Sequence, residues 1–186
     1  MTTELRPASA ADDPAIARVR RESWFAAYSG IIDPGLIDRA TETGGQAADP
    51  PPYRRTLVAV AAADGAAADG ASPAVVGYAA FGPERAIGFG DPAGTLTPAG
   101  LAGDTGEVYA IYLAPAWWST GTGHALMSAA LDGLRSTGCR RVVLWTLTDN
   151  ARARRFYERG GFAPDGGTNV LAGLGGVEEV RYARGL

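Results

Sequence analysis

Residues 106–115, GEVYAIYLAP, form a strand-like run of aromatic and β-branched residues. The chain then passes Trp117 and Trp118 into Gly121-Thr122-Gly123, and an apolar helical repeat begins. Leu126, Ala130 and Leu134 recur at i, i+4 and i+8, with Met127 and Leu131 beside them, so a helix from about Gly123 to Thr137 buries one stripe. Gly138 ends it. Glycines one residue apart before a helix suit either an ordinary strand-to-helix turn or an anion cradle. In a cradle, backbone N–H groups and the helix dipole meet a phosphate that a Cβ would keep away.

The segments around this unit extend the pattern. A short strand near Glu4–Arg6 precedes a helix over SAADDPAIARVRRESWFAAY, where Ser9 and Asp12 have capping-box spacing. Short helical pieces such as PGLIDRA follow within a Gly/Pro-rich stretch from Gly30 to Pro52. TLVAVAAA and AVVGYAAFG read as two strands joined by DGAAADGASP, a long hairpin connection. Residues 85–104 form a loop longer than a connector needs. After the glycine-led helix, RRVVLWTLT reads as a strand buried on both faces. NARARRFYERGG is a short helix, capped at Asn150 and closed by glycine. NVLAG and EEVRYARGL form a final hairpin, and the Ala/Gly-rich stretches 63–72 and 164–176 read as loops. The order is an α/β (α+β) arrangement in one domain over 1–186, a mixed sheet with helices on both faces.

Composition narrows the chemistry. All 17 basic residues are arginine, which excludes Schiff-base lysine catalysis and a Walker-type phosphate lysine. One Cys and one His leave no basis for a metal centre built on them. A net charge of −3 argues against nucleic-acid binding through bulk electrostatics. No apolar segment has the length of a membrane span, and the N-terminus has no signal-peptide pattern, so a cytoplasmic location without membrane partners is expected. A Rossmann fingerprint fails because Leu126 occupies the third glycine position.

Two motifs taken together carry more. Trp118-Ser119-Thr120-Gly121-Thr122-Gly123 follows a strand ending near a proline. One strand later stand Asn150, Ala153, Tyr157, Glu158, Gly161 and Phe162. This combination resembles the GNAT superfamily of N-acetyltransferases, with its Q/R-x-x-G-x-G/A loop and its N-x-x-A-x-x-x-Y-E-x-x-G-F helix. The resemblance is close over about 105–165, and LRPASAADDPAIARVRRESWFAAYSGII looks like the family's first strand and helices. The one departure is Trp118 in place of the Gln or Arg.

The resemblance implies a mostly antiparallel sheet that splays open, with acetyl-CoA as co-substrate and no metal. Trp118, Ser119, Thr120, Gly121, Thr122, Gly123 and His124 would hold the pyrophosphate. Ile111, Tyr112 and Leu113 would pair with the pantetheine arm like an added strand, and an N–H near Leu113 would face the oxyanion. Asn150 would bond the same arm or serve as a helix cap. Tyr157 is either the general acid on the departing sulfur or a core tyrosine. Glu107 is either the base or a solvated strand-end carboxylate. Tyr109 alternates with Glu107, and Trp24 with Tyr28 presents an aromatic face, so these three line the acceptor side or join the core. The acceptor would be a small-molecule or peptide amine, and a homodimer is common in the family. A fold of this kind that binds acyl-CoA without turnover is the alternative.

Overall fold

The computed structural model describes residues 2–42, 53–61, 74–85 and 103–186. The connection at 64–73 and nearly all of the 85–104 loop lie outside them. Seven strands form one sheet: β1 (Thr3–Pro7), β2 (Arg55–Ala61), β3 (Val75–Pro83), β4 (Thr105–Leu113), β5 (Arg141–Leu147), β6 (Ala163–Leu171) and β7 (Val177–Gly185). Their spatial order is β1-β2-β3-β4-β5-β7-β6. Every pairing is antiparallel except β4 with β5. Four helices are described: α1 (Asp13–Tyr28), α2 (Pro34–Glu42), α3 (Thr122–Arg135) and α4 (Ala151–Arg159).

The capping box at Ser9 is present. Asp12 accepts from the Ser9 backbone N–H at 2.8 Å and pairs with Arg6 at 2.7 Å, which holds its carboxyl well below the usual carboxylate range. A 3-10 turn at Ala10–Asp12 then leads into α1.

Helices lie on both faces. On one, the α3 residues Leu126, Ala130 and Leu134 pack with Phe81, Val108, Val142 and the α4 residue Tyr157. The approach is close, since a Cβ at Gly133 would stand 2.6 Å from the Phe81 ring. On the other face, Ile16 and Val19 of α1 pack on Val58 and Tyr78, while Trp24, Tyr28 and Ile37 join Leu147 and Leu171.

The 164–176 stretch differs from its expected loop. Ala163–Leu171 is strand β6, paired with β7 around a register shift between Pro164 and Thr168. Gly166 at φ +92 bends that shift, and an edge strand tolerates a proline. Glycine-rich composition reads as loop, but β7 supplies the hydrogen-bonding edge that makes it strand.

Candidate active site

The sheet opens where β4 and β5 part. Their parallel pairing covers only Thr105–Glu107 against Arg141–Val143. Two residues further, β4 carries a bulge against β3: Ala80 pairs with Ala110 and Phe81 with Val108, so Tyr109 is the extra residue. Gly106–Val108 are buried, whereas Tyr109–Leu113 are half-exposed. Beyond Glu107 the β5-facing edge of β4 therefore borders open space. A cavity of about 540 Å³ lies there, within the size range of small-molecule sites.

The glycine loop forms one end. Ser119 at φ +63 and Gly121 at φ +93 turn the chain left-handed, and Gly121 caps α3 without a side-chain hydrogen bond. The first-turn N–H groups of Thr122, Gly123 and His124 precede the first intrahelical bond, from Ala125 to Gly121, and so have no partner inside the helix. Gly121, Gly123 and His124 line the cavity. Dipole and orphan amides together favour an anion there.

Trp118 is tied in place. Its indole N–H donates to the Leu113 carbonyl at 3.0 Å, joining the loop to the end of β4. The Arg152 guanidinium lies 4.3 Å from the Trp118 ring centroid and donates to Ser119 Oγ at 3.2 Å. Arg152, Arg155 and Arg159 all reach the cavity wall from α4, at i, i+3 and i+7. A cation thus stands beside the loop at the one position where the motif lacks its polar side chain.

Ile111, Tyr112, Leu113, Asn150 and Tyr157 line the same cavity. Asn150 Oδ1 accepts from the Ala153 N–H at 3.1 Å, a helix cap. Tyr28 of α1 and Tyr112 of β4 also line the cavity, and burial raises both hydroxyls above the ordinary tyrosine range. Burial pushes the Tyr157 hydroxyl well above the ordinary tyrosine range, so the side chain stays protonated and able to donate.

Ser23, Ala27, Tyr28 and Tyr109, together with Glu179 of β7, also line the cavity. The Tyr109 hydroxyl donates to the Pro83 carbonyl at 2.6 Å, and the Arg85 guanidinium lies 4.5 Å from its ring.

Four expected residues stand off the cavity wall. Thr120 and Thr122 bond each other at 3.0 Å, and Thr120 also donates to the Trp117 carbonyl at 2.9 Å. Trp24 is in the core, its ring 5.3 Å from Tyr28 and 6.4 Å from Tyr112. Glu107, expected as a base or a solvated strand-end carboxylate, is 1% exposed and so is not solvated. It pairs with Arg85 at 2.5 Å and accepts the Arg85 backbone N–H at 2.9 Å. Burial raises its carboxyl above the ordinary value against the pull of Arg85. Conversely, the arginines of α4 and Glu179 were not among the expected residues. The arginine spacing was visible in the sequence, but nothing there placed that helix face beside the loop.

This fold and loop are those of acetyltransferases. Residues 19–162 match the model of the acetyltransferase (GNAT) family, and the chain belongs to that family. A GCN5-related N-acetyltransferase from Kribbella flavida superposes with a TM-score of 0.65 at 26% identity, covering 99% of this chain and 98% of that one. The PaiA N-acetyltransferase from Thermoplasma acidophilum, solved with coenzyme A, shares the fold at 17% identity with a TM-score of 0.62 and full coverage of both chains. In sequence, 71 residues are 48% identical to a mycothiol acetyltransferase of a Parafrankia species, which is 38% of this chain and 22% of the relative. The chain thus spans about a fifth of the length of the mycothiol acetyltransferases that it matches. A protein of Mycobacterium tuberculosis named "Probable N-acetyltransferase" is 28% identical over 173 residues, covering 93% of this chain and 87% of that one.

Proposed function

We propose that this chain is an acetyl-CoA-dependent N-acetyltransferase that transfers to a primary amine directly, in a ternary complex. The observation that carries the reading is one continuous cavity. It joins the orphan amides at the start of α3, the unpaired edge of β4 and the protonated Tyr157. The N-acetyltransferase names of the relatives support the same reaction class.

The co-substrate supplies an activated acetyl thioester, and the chain's residues orient it. Gly121, Gly123 and His124 offer backbone amides to its pyrophosphate, with Arg152 adding a positive charge beside the loop. The edge of β4 at Ile111–Leu113 takes the pantetheine arm as an added strand. Of its groups, the Leu113 carbonyl already accepts the Trp118 indole. Asn150, held as a cap through Oδ1, keeps its amide N–H groups for the arm. Tyr157 donates the proton that the departing sulfur needs. Glu107 would have to break its pair with Arg85 to act as base. Its burial favours a positioning role, holding the segment that follows β3 against β4 just before β4 parts from β5.

Calorimetric titration with CoA and thiol release over an amine panel test the reading together. Tyr157→Phe should lower kcat by about 10²-fold, the usual contribution of one acid-base group, with little change in acetyl-CoA affinity. Equal loss in both would make Tyr157 structural. CoA binding without thiol release from any amine would leave a sensing domain instead of an enzyme.

A further inference from the structure

We propose that Trp145, with Tyr109 and Tyr112, forms the platform that recognises the acceptor, and that the acceptor is a primary amine on a short chain from a neutral aromatic ring. The inference rests on the acetyltransferase reading and deepens it. The cavity reaches both faces of the sheet where β4 and β5 part, since Gly123 and His124 of α3 line it together with Ser23 and Tyr28 of α1. The glycine loop, Asn150 and Tyr157 belong to the α3–α4 side, which the co-substrate occupies in that reading. The acceptor then meets the thioester from the α1–α2 side.

Alternation along the strands puts three aromatic rings on that side. Val142 and Leu144 pack with α3, so Trp145 points the other way, as does Leu147, which packs with Trp24 and Tyr28 of α1. Tyr112 lies on the same face, its ring centroid 6.4 Å from Trp24 and 5.7 Å from Tyr78. Position 82 faces away from Phe81, which packs with α3, and a Cβ at Gly82 would stand 2.6 Å from the Tyr109 hydroxyl. All three rings line the cavity.

Two of the rings carry a cation over one face. The Arg85 guanidinium lies 4.5 Å from the Tyr109 ring centroid and is itself paired with Glu107. The Arg181 guanidinium lies 5.7 Å from the Trp145 ring centroid and is paired with Glu84 and Asp165, each at 3.0 Å. A ring that already holds a cation is a poorer host for a second one and a better host for another π-system. The wall therefore suits a neutral ring more than a bare ammonium. Trp145 is half-exposed and packs into none of the core clusters of the described residues. A flat ring laid on it leaves water and gains the offset or edge contact that aromatic pairs prefer, whereas an aliphatic group gains the burial alone.

The test measures thiol release by the full chain from acetyl-CoA with 2-phenylethylamine, tryptamine and 2-cyclohexylethylamine. The last has the carbon skeleton of the first and is the more apolar, so burial alone favours it. All three are ammonium ions at neutral pH, so their KM values compare like with like. KM should be about three- to tenfold lower for the two aromatic amines, the range that an aromatic pair adds beyond burial. Trp145→Leu should raise KM for these two to the level of 2-cyclohexylethylamine, with kcat and CoA affinity little changed, and Trp145→Phe should keep most of the preference. A wild type with the lower KM for 2-cyclohexylethylamine, or a Trp145→Leu loss shared equally by all three amines, overturns the proposal. So does a fall in CoA affinity in step with the rise in KM, which would put Trp145 on the cofactor side. If thiol is released with other amines but with none of these three, the acetyltransferase reading stands and this inference falls. A chain that does not bind CoA fails the reading and the inference together.

Discussion

At the scale of single residues, the most informative departure is Trp118. Where related loops carry Gln or Arg, an indole can neither neutralise a phosphate nor offer an amide. The structure answers with Arg152, which stacks on the ring and reaches Ser119. A guanidinium over an indole face gains about 0.5–2 kcal/mol and is held rigidly for contact with phosphate oxygens. Arg152→Ala should therefore weaken CoA binding by about tenfold in a titration and leave Tm nearly unchanged, because the side chain is exposed and makes no core contact. Arg152→Lys should recover only part of the affinity, since an ammonium cannot stack as a plane. If Ala binds CoA as the wild type does, the cation is not part of the cradle. Residue-scale chemistry was unevenly legible in the sequence. Tyr157 and Asn150 stand in a spaced motif, so their meeting at the cavity could be expected. Arg152 and Glu179 could not be, because each acquires its neighbour through contacts 33 and 10 residues away in the chain, with Ser119 and Asn169.

At the scale of elements, the glycine loop separates two reasons for having no side chain. Gly121 sits at φ +93, so alanine there is strained by about 1–2 kcal/mol whether or not a ligand binds. Gly123 has no such constraint. A Cβ there would meet Leu113 at 3.4 Å and Phe156 at 3.5 Å, close to ordinary packing distances. The folded chain itself tolerates alanine at 123, and helix propensity even favours it by up to about 1 kcal/mol. Gly123→Ala should thus keep or raise Tm while lowering CoA affinity about tenfold or more, because the added carbon occupies the approach to the orphan amides. Unchanged affinity would reduce the loop to a turn. The apolar stripe and flanking glycines made α3 readable in advance, and the Ser9–Asp12 spacing did the same for the start of α1. β6 was not readable, because Pro164, Gly166 and Gly167 carry loop composition and only the partner edge of β7 makes them a strand.

At the scale of the whole molecule, the parting of β4 from β5 leaves the sheet in two halves. β1–β4 form one and β5–β7 the other, joined edge to edge by three residue pairs and by helices on both faces, α3 and α4 on one and α1 and α2 on the other. No periodicity encodes that gap; it arises from the bulge at Tyr109 together with parallel pairing that ends at Glu107. A ligand lying along the β4 edge contacts both halves at once: Ile111–Leu113 on one side, Asn150 and Tyr157 on the other. It binds the native state and has no site in the unfolded chain. By mass action, CoA at about 100 times its Kd should add about 2.7 kcal/mol of stability. For a chain of this length that corresponds to a rise in Tm of roughly 5–10 °C in thermal unfolding. NAD and ATP at the same concentration should give a much smaller rise, since neither carries the arm that follows the strand edge. Equal shifts with all three would mean that the cavity holds a generic nucleotide phosphate, and the pairing of a pantetheine arm with β4 would have to be abandoned.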